Sequence, residues 1–299
     1  MTWNAKANPF AESLYYEIHD FPTKSKLDHA QGWRANSVFI IALHGGPMRK
    51  IKRYGWLPDL PDQRDFLFAA PPIKLLKKVD LRPNCPPVYD QGQLGSCTAN
   101  AIGAAHQFEQ MKQGAKSAFV PSRLFIYFNE RVIEHTENQD SGAMIRDGMK
   151  TVVHQGVCPE KDWPYVVARF TNRPPAPCFK KALDHQVVSY QRLVQTERQM
   201  KTCLASGFPF VFGFSVYESF ESDVVAKTGK APLPKKGEKM LGGHAVMAVG
   251  YDDAQGRFIV RNSWGPKWGM EGYFTIPYDY LVSDTLSADF WTIRLVEAE

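Results

Sequence analysis

Asp90-Gln91-Gly92-Gln93-Leu94-Gly95-Ser96-Cys97 is the stretch on which the reading of this chain turns. It brings together a carboxamide, a pair of glycines and a thiol. The run that follows, Thr98-Ala99-Asn100-Ala101-Ile102-Gly103-Ala104-Ala105, is alanine-rich and predicts a buried helix with Cys97 at its N-terminus. Unpaired backbone amides and the helix dipole favour a thiolate there. Gly92 and Gly95 permit the tight turn that precedes it. Gln91 lies six residues before Cys97, so its carboxamide can fold back beside the Cys97 N–H. Donors converging on one point form an oxyanion hole.

A thiolate nucleophile needs a base, and the base needs an orienting partner. Leu241-Gly242-Gly243-His244-Ala245-Val246-Met247-Ala248-Val249-Gly250-Tyr251 sets His244 at the head of an apolar, strand-like run. Asn262 follows eighteen residues later, in Arg261-Asn262-Ser263-Trp264-Gly265-Pro266-Lys267-Trp268-Gly269. Asn262 is expected to hold the imidazole through a ring N–H, and Trp264 to shield that bond from water. His106 and His154 fall on predicted helices and read as ordinary structural residues.

A glutamine, a Gly-Ser-Cys, a Gly-His-Ala and an Asn-Ser-Trp-Gly, in that order, resemble the papain-like cysteine peptidases. The resemblance runs from about Val79 to the C-terminal end. The papain signature sets its histidine and asparagine about 130–150 residues after the cysteine. Here the separations are 147 and 165 residues, which points to an insertion before His244. The lysine-rich stretch 221–240 is the candidate for it. Leu94 stands where that signature has a second cysteine, and Thr98 where it has an aromatic residue. In both respects the chain is similar to bacterial or divergent members. Neither change touches the proton-transfer groups.

The resemblance implies an α+β, papain-like two-lobe fold, with a helical lobe, a β-barrel-like lobe and the active site in the cleft between them. Residues 1–78 would be an N-terminal extension serving as propeptide or strap. Residues 79–185 would be the mainly helical lobe and 186–299 the β-rich lobe. Cys97, His244 and Asn262 would be catalytic, with Gln91 and the Cys97 N–H forming the oxyanion hole. Ser141, Gly142 and Ala143 would bind substrate backbone, and Gly243, Ala245 and Trp264 would line the site beside the histidine. The expected partner is a peptide or protein substrate, cleaved through an acyl-enzyme with no metal and no cofactor. Two other readings of the same residues stay open: a catalytically silent peptide-binding protein of this fold, and a peptide ligase or transpeptidase.

Composition narrows the function further. The net charge is +5, and residues 1–78 carry that excess, with 12 Lys+Arg against 7 Asp+Glu. Residues 79–299 hold 24 of each sign, which argues against a nucleic-acid-binding face on the catalytic region. The five cysteines, Cys85, Cys97, Cys158, Cys178 and Cys203, match no zinc spacing. An odd count suits one nucleophile, and the other four are expected to be free thiols, as a reducing compartment allows. Glu12, Glu17 and Asp20 interrupt the start of the chain, which does not read as a signal peptide. Val38–Leu43 is apolar but far too short to span a bilayer, and reads as a strand or docking segment. A cytoplasmic location with no membrane span is the expectation.

The leader carries its own information. Residues 1–47 are poorly patterned, and the abrupt change at Met48 marks that residue as a candidate start. Tyr54–Phe68, with its Pro-Asp turns, reads as an ordered but irregular belt. It is similar to the segment before the mature region of bacterial relatives and lacks the Glu-Arg-Phe-Asn helix of plant and animal propeptides. It has two readings, a structural strap or an intramolecular inhibitor lying in the cleft. Helices are expected over Ala99–Met111, after Pro121-Ser122, from Met144 to near Gly156, and over Thr196–Ala205. Strands are expected at Val187–Tyr190, Phe208–Val216, Ala245–Tyr251, Phe258–Arg261, Tyr273–Ile276 and Phe290–Arg294, with 221–240 as a charged loop.

Overall fold

Proline and aspartate leave the belt before the nucleophile almost without regular structure. In the computed structural model, which describes residues 54–116 and 118–297, it contributes only the short strands β1 (Trp56–Leu57) and β2 (Lys78–Asp80). These residues all belong to one compact unit, Pro47–Glu299. Val38–Leu43 and Met48 lie outside the described residues.

Helix α1 (Cys97–Lys112) is buried on every side from Cys97 to Gln110. An amphipathic helix would show a single apolar stripe; α1 instead carries small residues all round, which let neighbours approach from each direction. Helix α2 (Arg123–Ile133) starts where the sequence predicted, with Ser122 Oγ accepting the Phe125 N–H at 3.2 Å. Strand β3 (Ala143–Met144) leads into α3 (Ile145–His154), and α4 (Ala176–Ala182) follows. Helices α2 and α3 pack on α1 and on each other.

The remaining chain forms β4 (Val187–Arg192), α5 (Glu197–Ala205), β5 (Phe210–Tyr217), α6 (Asp223–Thr228), β6 (Met240–Asp252), β7 (Arg257–Arg261), β8 (Tyr273–Pro277), α7 (Tyr278–Val282) and β9 (Ser287–Val296). The strands make an antiparallel sheet in the order β4-β9-β5-β6-β7-β8, and β2 adds to β6. The sheet is open rather than a closed barrel. Alternation along β5 sends Phe210, Phe212 and Phe214 to one face, all fully buried. Phe212 stacks on Phe290 at 5.6 Å, and Phe214 meets Phe220 and Phe274 at 5.1 and 6.0 Å. Burying each such ring is worth about 1.5–3 kcal/mol. The other face of α1 rests on β6 and β9, so the helix carrying Cys97 lies against the strand carrying His244.

The stretch 221–240 departs from the expected loop. It contains α6, capped by Ser222 Oγ, anchored by buried Val225 and ended by Gly229 in the left-handed region. A single buried apolar residue in six gives too little periodicity to announce a helix. Helix α7 escaped notice for the same reason of length.

Candidate active site

The turn before Cys97 is fixed from several directions. Asp90 Oδ1 accepts the Gly92 N–H at 2.9 Å, closing the turn on itself. Gly95 N–H donates to Asp140 Oδ1 at 3.0 Å, and Tyr127 donates to the same oxygen at 2.5 Å. Tyr165 donates its hydroxyl to Gln91 O at 3.0 Å and lies 2.5 Å from Ser96 Oγ. The Gln91 backbone N–H pairs with Ser263 O at 2.9 Å, tying this turn to the segment that carries Asn262. The Gln91 carboxamide is also held: Oε1 accepts from Ser263 Oγ at 2.5 Å, and Nε2 gives one hydrogen to Leu94 O at 2.9 Å. An amide nitrogen has two hydrogens, so a second remains for another acceptor.

His244 lies on β6 and Asn262 directly follows β7. The Met247–Arg261 pairing of those strands brings the two side chains together. His244 Nε2 lies 2.9 Å from Asn262 Oδ1. That oxygen also accepts the Ser263 N–H at 2.8 Å, which fixes the orientation of the amide. An amide oxygen only accepts, so Nε2 carries the ring proton and Nδ1 keeps its lone pair. Nδ1 is buried and has no hydrogen-bond partner among the described residues. Trp264 stacks over the imidazole, with centroids 5.0 Å apart and planes 28° apart. The backbone of Ala245, the next residue after His244, reaches the Cys97 sulfur. The thiol therefore lies beside the strand that carries His244.

A third segment lies against both. Gly55 O accepts the Ala143 N–H at 2.7 Å, and Trp56–Leu57 pairs in parallel with Ala143–Met144. The approach is so close that a Cβ on Gly142, which has φ +76°, would fall 2.1 Å from Gly55 O. A Cβ on Gly55 itself would fall 1.7 Å from Gly95 O. Glycine is required at both positions for lack of room. The Tyr54 ring lies edge-on 6.1 Å from His244. Trp56 fills a slot beside Gly243 and Gly213 and donates Nε1–H to Asp289 Oδ2 at 3.0 Å.

This cover sets the electrostatics. Cys97 and His244 are completely buried. Burial pushes the Cys97 thiol up to about 12, while backbone N–H groups of Ala245, Gly55 and Thr98 act the other way. Burial also pushes His244 down to about 4, against its bond to Asn262. In the covered state the pair is thus a neutral thiol and a neutral imidazole, because a buried charge without solvent is costly. The sequence favoured a thiolate from the helix end together with pairing to His244; under the cover, desolvation works against both. Beneath the nucleophile, Thr98 donates to Glu130 Oε1 at 2.6 Å, and burial raises the Glu130 carboxyl well above its ordinary range.

Of the residues singled out by sequence, His244 and Asn262 are hydrogen-bonded, Gln91 is tied to Ser263 beside Asn262, and Cys97 lies against the Ala245 backbone. Gly142, Ala143 and Gly243 line the covering segment, Ala245 touches the sulfur, and Trp264 roofs the His244–Asn262 bond. Ser141 shapes its own turn instead, with Oγ donating to Thr136 Oγ1 at 2.8 Å. Sequence reasoning missed Ser263, Asp140 and Asp289. Ser263 sits inside the Asn-Ser-Trp-Gly run and was legible there; the two aspartates carry no local signal. All five cysteines are free. No helix among the described residues is long and apolar enough to cross a membrane.

A thiol on the first turn of a central helix, with a histidine–asparagine pair on the antiparallel sheet packed against that helix, is the arrangement of a papain-type cysteine hydrolase. Residues 75–284 match the papain family cysteine proteases, and the chain belongs to that family and is a cysteine peptidase. It is 42% identical over 272 residues to an uncharacterized peptidase C1-like protein of Acanthamoeba polyphaga mimivirus, covering 82% of this chain and 88% of that one. It is 29% identical over 202 residues to a probable cysteine protease of Arabidopsis thaliana, of which it spans 40%. The crystal structure of xylellain, a cysteine protease from Xylella fastidiosa, is similar at TM-score 0.78 and 45% identity, covering 84% of this chain and 99% of that one. A procathepsin B from Trypanosoma congolense shares the fold at TM-score 0.65 and 20% identity, covering 82% and 87%.

Proposed function

We propose that this enzyme hydrolyses peptide bonds through Cys97, and that residues 54–68 inhibit it by lying in its cleft. Once the segment leaves and water enters, the desolvation that keeps the pair neutral is relieved. His244 Nδ1 then takes the Cys97 proton, and the thiolate attacks the substrate carbonyl. The oxyanion is met by the Cys97 N–H and the second Gln91 Nε2 hydrogen. The His244 imidazolium returns its proton to the leaving amine, and water resolves the acyl-enzyme by the reverse path. Asn262 keeps Nε2 protonated throughout, so Nδ1 is the atom that exchanges.

One observation carries the mechanism: the His244–Asn262 bond at 2.9 Å, with the opposite ring nitrogen left unpaired. For inhibition it is the Gly55 carbonyl on the Ala143 N–H, the edge that a substrate backbone would use. Labelling with a peptidyl epoxide, mapped by mass spectrometry, tests both. The adduct is expected on Cys97, to vanish in His244→Ala, and to form faster in protein lacking the residues before Pro71. Slow labelling spread over several cysteines would defeat the catalytic assignment. Equal rates with and without the segment would defeat the inhibitory one.

A further inference from the structure

Two glycines make the slot that Trp56 occupies. A Cβ added to Gly213 would fall 1.9 Å from Trp56 Cε2, and one added to Gly243 would fall 2.6 Å from Cε3. Gly213 lies within β5 between Phe212 and Phe214, and its φ is outside the left-handed region. No backbone conformation demands glycine there. A glycine inside a strand marks a place where another group approaches closely.

Asp289 forms the floor of that slot. It is a non-glycine residue in the left-handed region, at φ +61°, an uncommon conformation that turns up at functional sites. Its two oxygens face different groups. Oδ1 lies 3.6 Å from Arg192 Nη2, which belongs to the body of the enzyme. Oδ2 accepts from Trp56 Nε1 at 3.0 Å and from the Asp59 N–H at 2.8 Å, both from the covering segment. When that segment departs, Oδ2 loses both donors, and an apolar side chain filling the slot would bury it without either. A buried acceptor left unpaired is costly, so the open slot favours an occupant that restores an N–H.

We propose that Asp289, with Gly213 and Gly243, makes this slot select peptide substrates bearing tryptophan at the residue that enters it. The inference rests on the peptidase reading above. Phenylalanine fits the slot but brings no donor. Arginine and lysine bring donors but also a charge. In the covered enzyme Asp65 pairs with Arg146 and Arg192, each at 2.6 Å. Asp65 leaves with the segment, so the Asp289 carboxylate then faces both guanidiniums, and a third cation is repelled. Trp56 is thus a copy of the preferred substrate side chain, presented on a strand that runs parallel to β3.

The test uses the full-length chain carrying Trp56→Ala, which empties the slot. Peptide series carry Trp, Phe, Leu or Arg at each position before the scissile bond, and kcat/KM is read with cleavage mapped by mass spectrometry. Tryptophan at one position is expected to exceed phenylalanine by roughly tenfold or more, the discrimination a buried acceptor imposes on a ligand lacking the donor. Adding Asp289→Gly, which retains the left-handed backbone, should bring the ratio close to one. Adding Gly213→Val should shift preference to small side chains. Equal use of Trp and Phe in the Trp56→Ala chain, or a preference for Arg, overturns the proposal without any further variant. A ratio that survives Asp289→Gly overturns the role of Asp289. If no peptide is cleaved and Cys97 takes no epoxide, the peptidase reading itself fails, and the slot proposal falls with it.

Discussion

Replacing Trp56 by alanine should release the enzyme from its own cover, and the structure sets the size of the effect. Trp56 is 7% exposed, with its ring packed against Gly213 and Gly243 and its N–H bonded to Asp289 at 3.0 Å. Truncating a buried tryptophan to alanine costs about 3–5 kcal/mol. In the open enzyme the same side chain is in water, so nearly all of that cost falls on the closed state. Other anchors persist: Gly55 O on Ala143 N–H, the pairing of Arg192 N–H with Phe66 O at 2.7 Å, and the Arg146–Asp65 ion pair. They do not alter the argument, because an equilibrium shifts by the free-energy difference whatever else contributes to it. Taking about 3 kcal/mol, the open-to-closed ratio rises roughly a hundredfold. The assay is the rate of Cys97 modification by a peptidyl epoxide at fixed pH, under conditions where opening is faster than labelling. A rate near one hundred times that of the parent chain is expected. Circular dichroism should show an unchanged fold, since the substitution leaves the β1–β3 backbone pairing intact. An unchanged rate in a folded variant would refute the idea that this segment gates the thiol.

Asp59 adds a pH dependence. Its carboxyl is pushed up to about 7 by burial and by facing Asp289, and Arg146 from α3 pulls the other way. Arg192 from β4, Glu134 at the C-terminal cap of α2 and Asp65 of the segment itself complete the charged surroundings. The closed state therefore holds a proton that a solvated Asp59, with an ordinary value of 3.8, gives up. Closure should be firmest below about pH 4 and weaken as pH rises through about 7. Dividing the parent's labelling rate by that of Asp59→Asn at each pH cancels thiol chemistry; a ratio flat from pH 4 to 8 would contradict this. Gln91→Ala should lower kcat by about 10²–10³-fold with little change in KM, read from steady-state kinetics of the uncovered enzyme. Asn262→Ala should cost about 10–100-fold in kcat by freeing the imidazole to rotate and change tautomer. Phe212→Ala should destabilise the fold by about 3–5 kcal/mol in urea unfolding, since its ring is fully buried against Phe290.

What could be read from sequence and what could not divide along a physical line. The chemistry was legible because each reactive group sits in a short run whose backbone it needs. Cys97 needs the glycine turn and the helix start, His244 needs the strand after Gly-Gly, and Asn262 needs the tight turn that Ser263 and Trp264 close. The helix start at Ser122 and the aromatic strand at Phe210–Tyr217 were legible for the same local reason. Helices α6 and α7, at six and five residues, were not, since neither is long enough to show a period. The cover was half legible. Tyr54–Phe68 read as an ordered belt from its turn residues, but those residues cannot say where the belt lies. Its position is decided by contacts over more than eighty residues: Gly55 with Gly142, Trp56 with Gly213, and Asp59 with Asp289. Gly213 and Asp289 have unremarkable neighbourhoods in the chain, a glycine in a strand and an aspartate before a phenylalanine. Their meaning appears only when the partner arrives. This also explains why the covered pair differs from the thiolate that the sequence led one to expect. A helix end acts over one turn and is visible in the sequence, whereas the loss of solvent that outweighs it is imposed by a segment forty residues upstream. On the proposed mechanism the same sulfur should be a poor nucleophile under Gly55 and a good one without it, which would put control of this enzyme in the cover as much as in the catalytic groups.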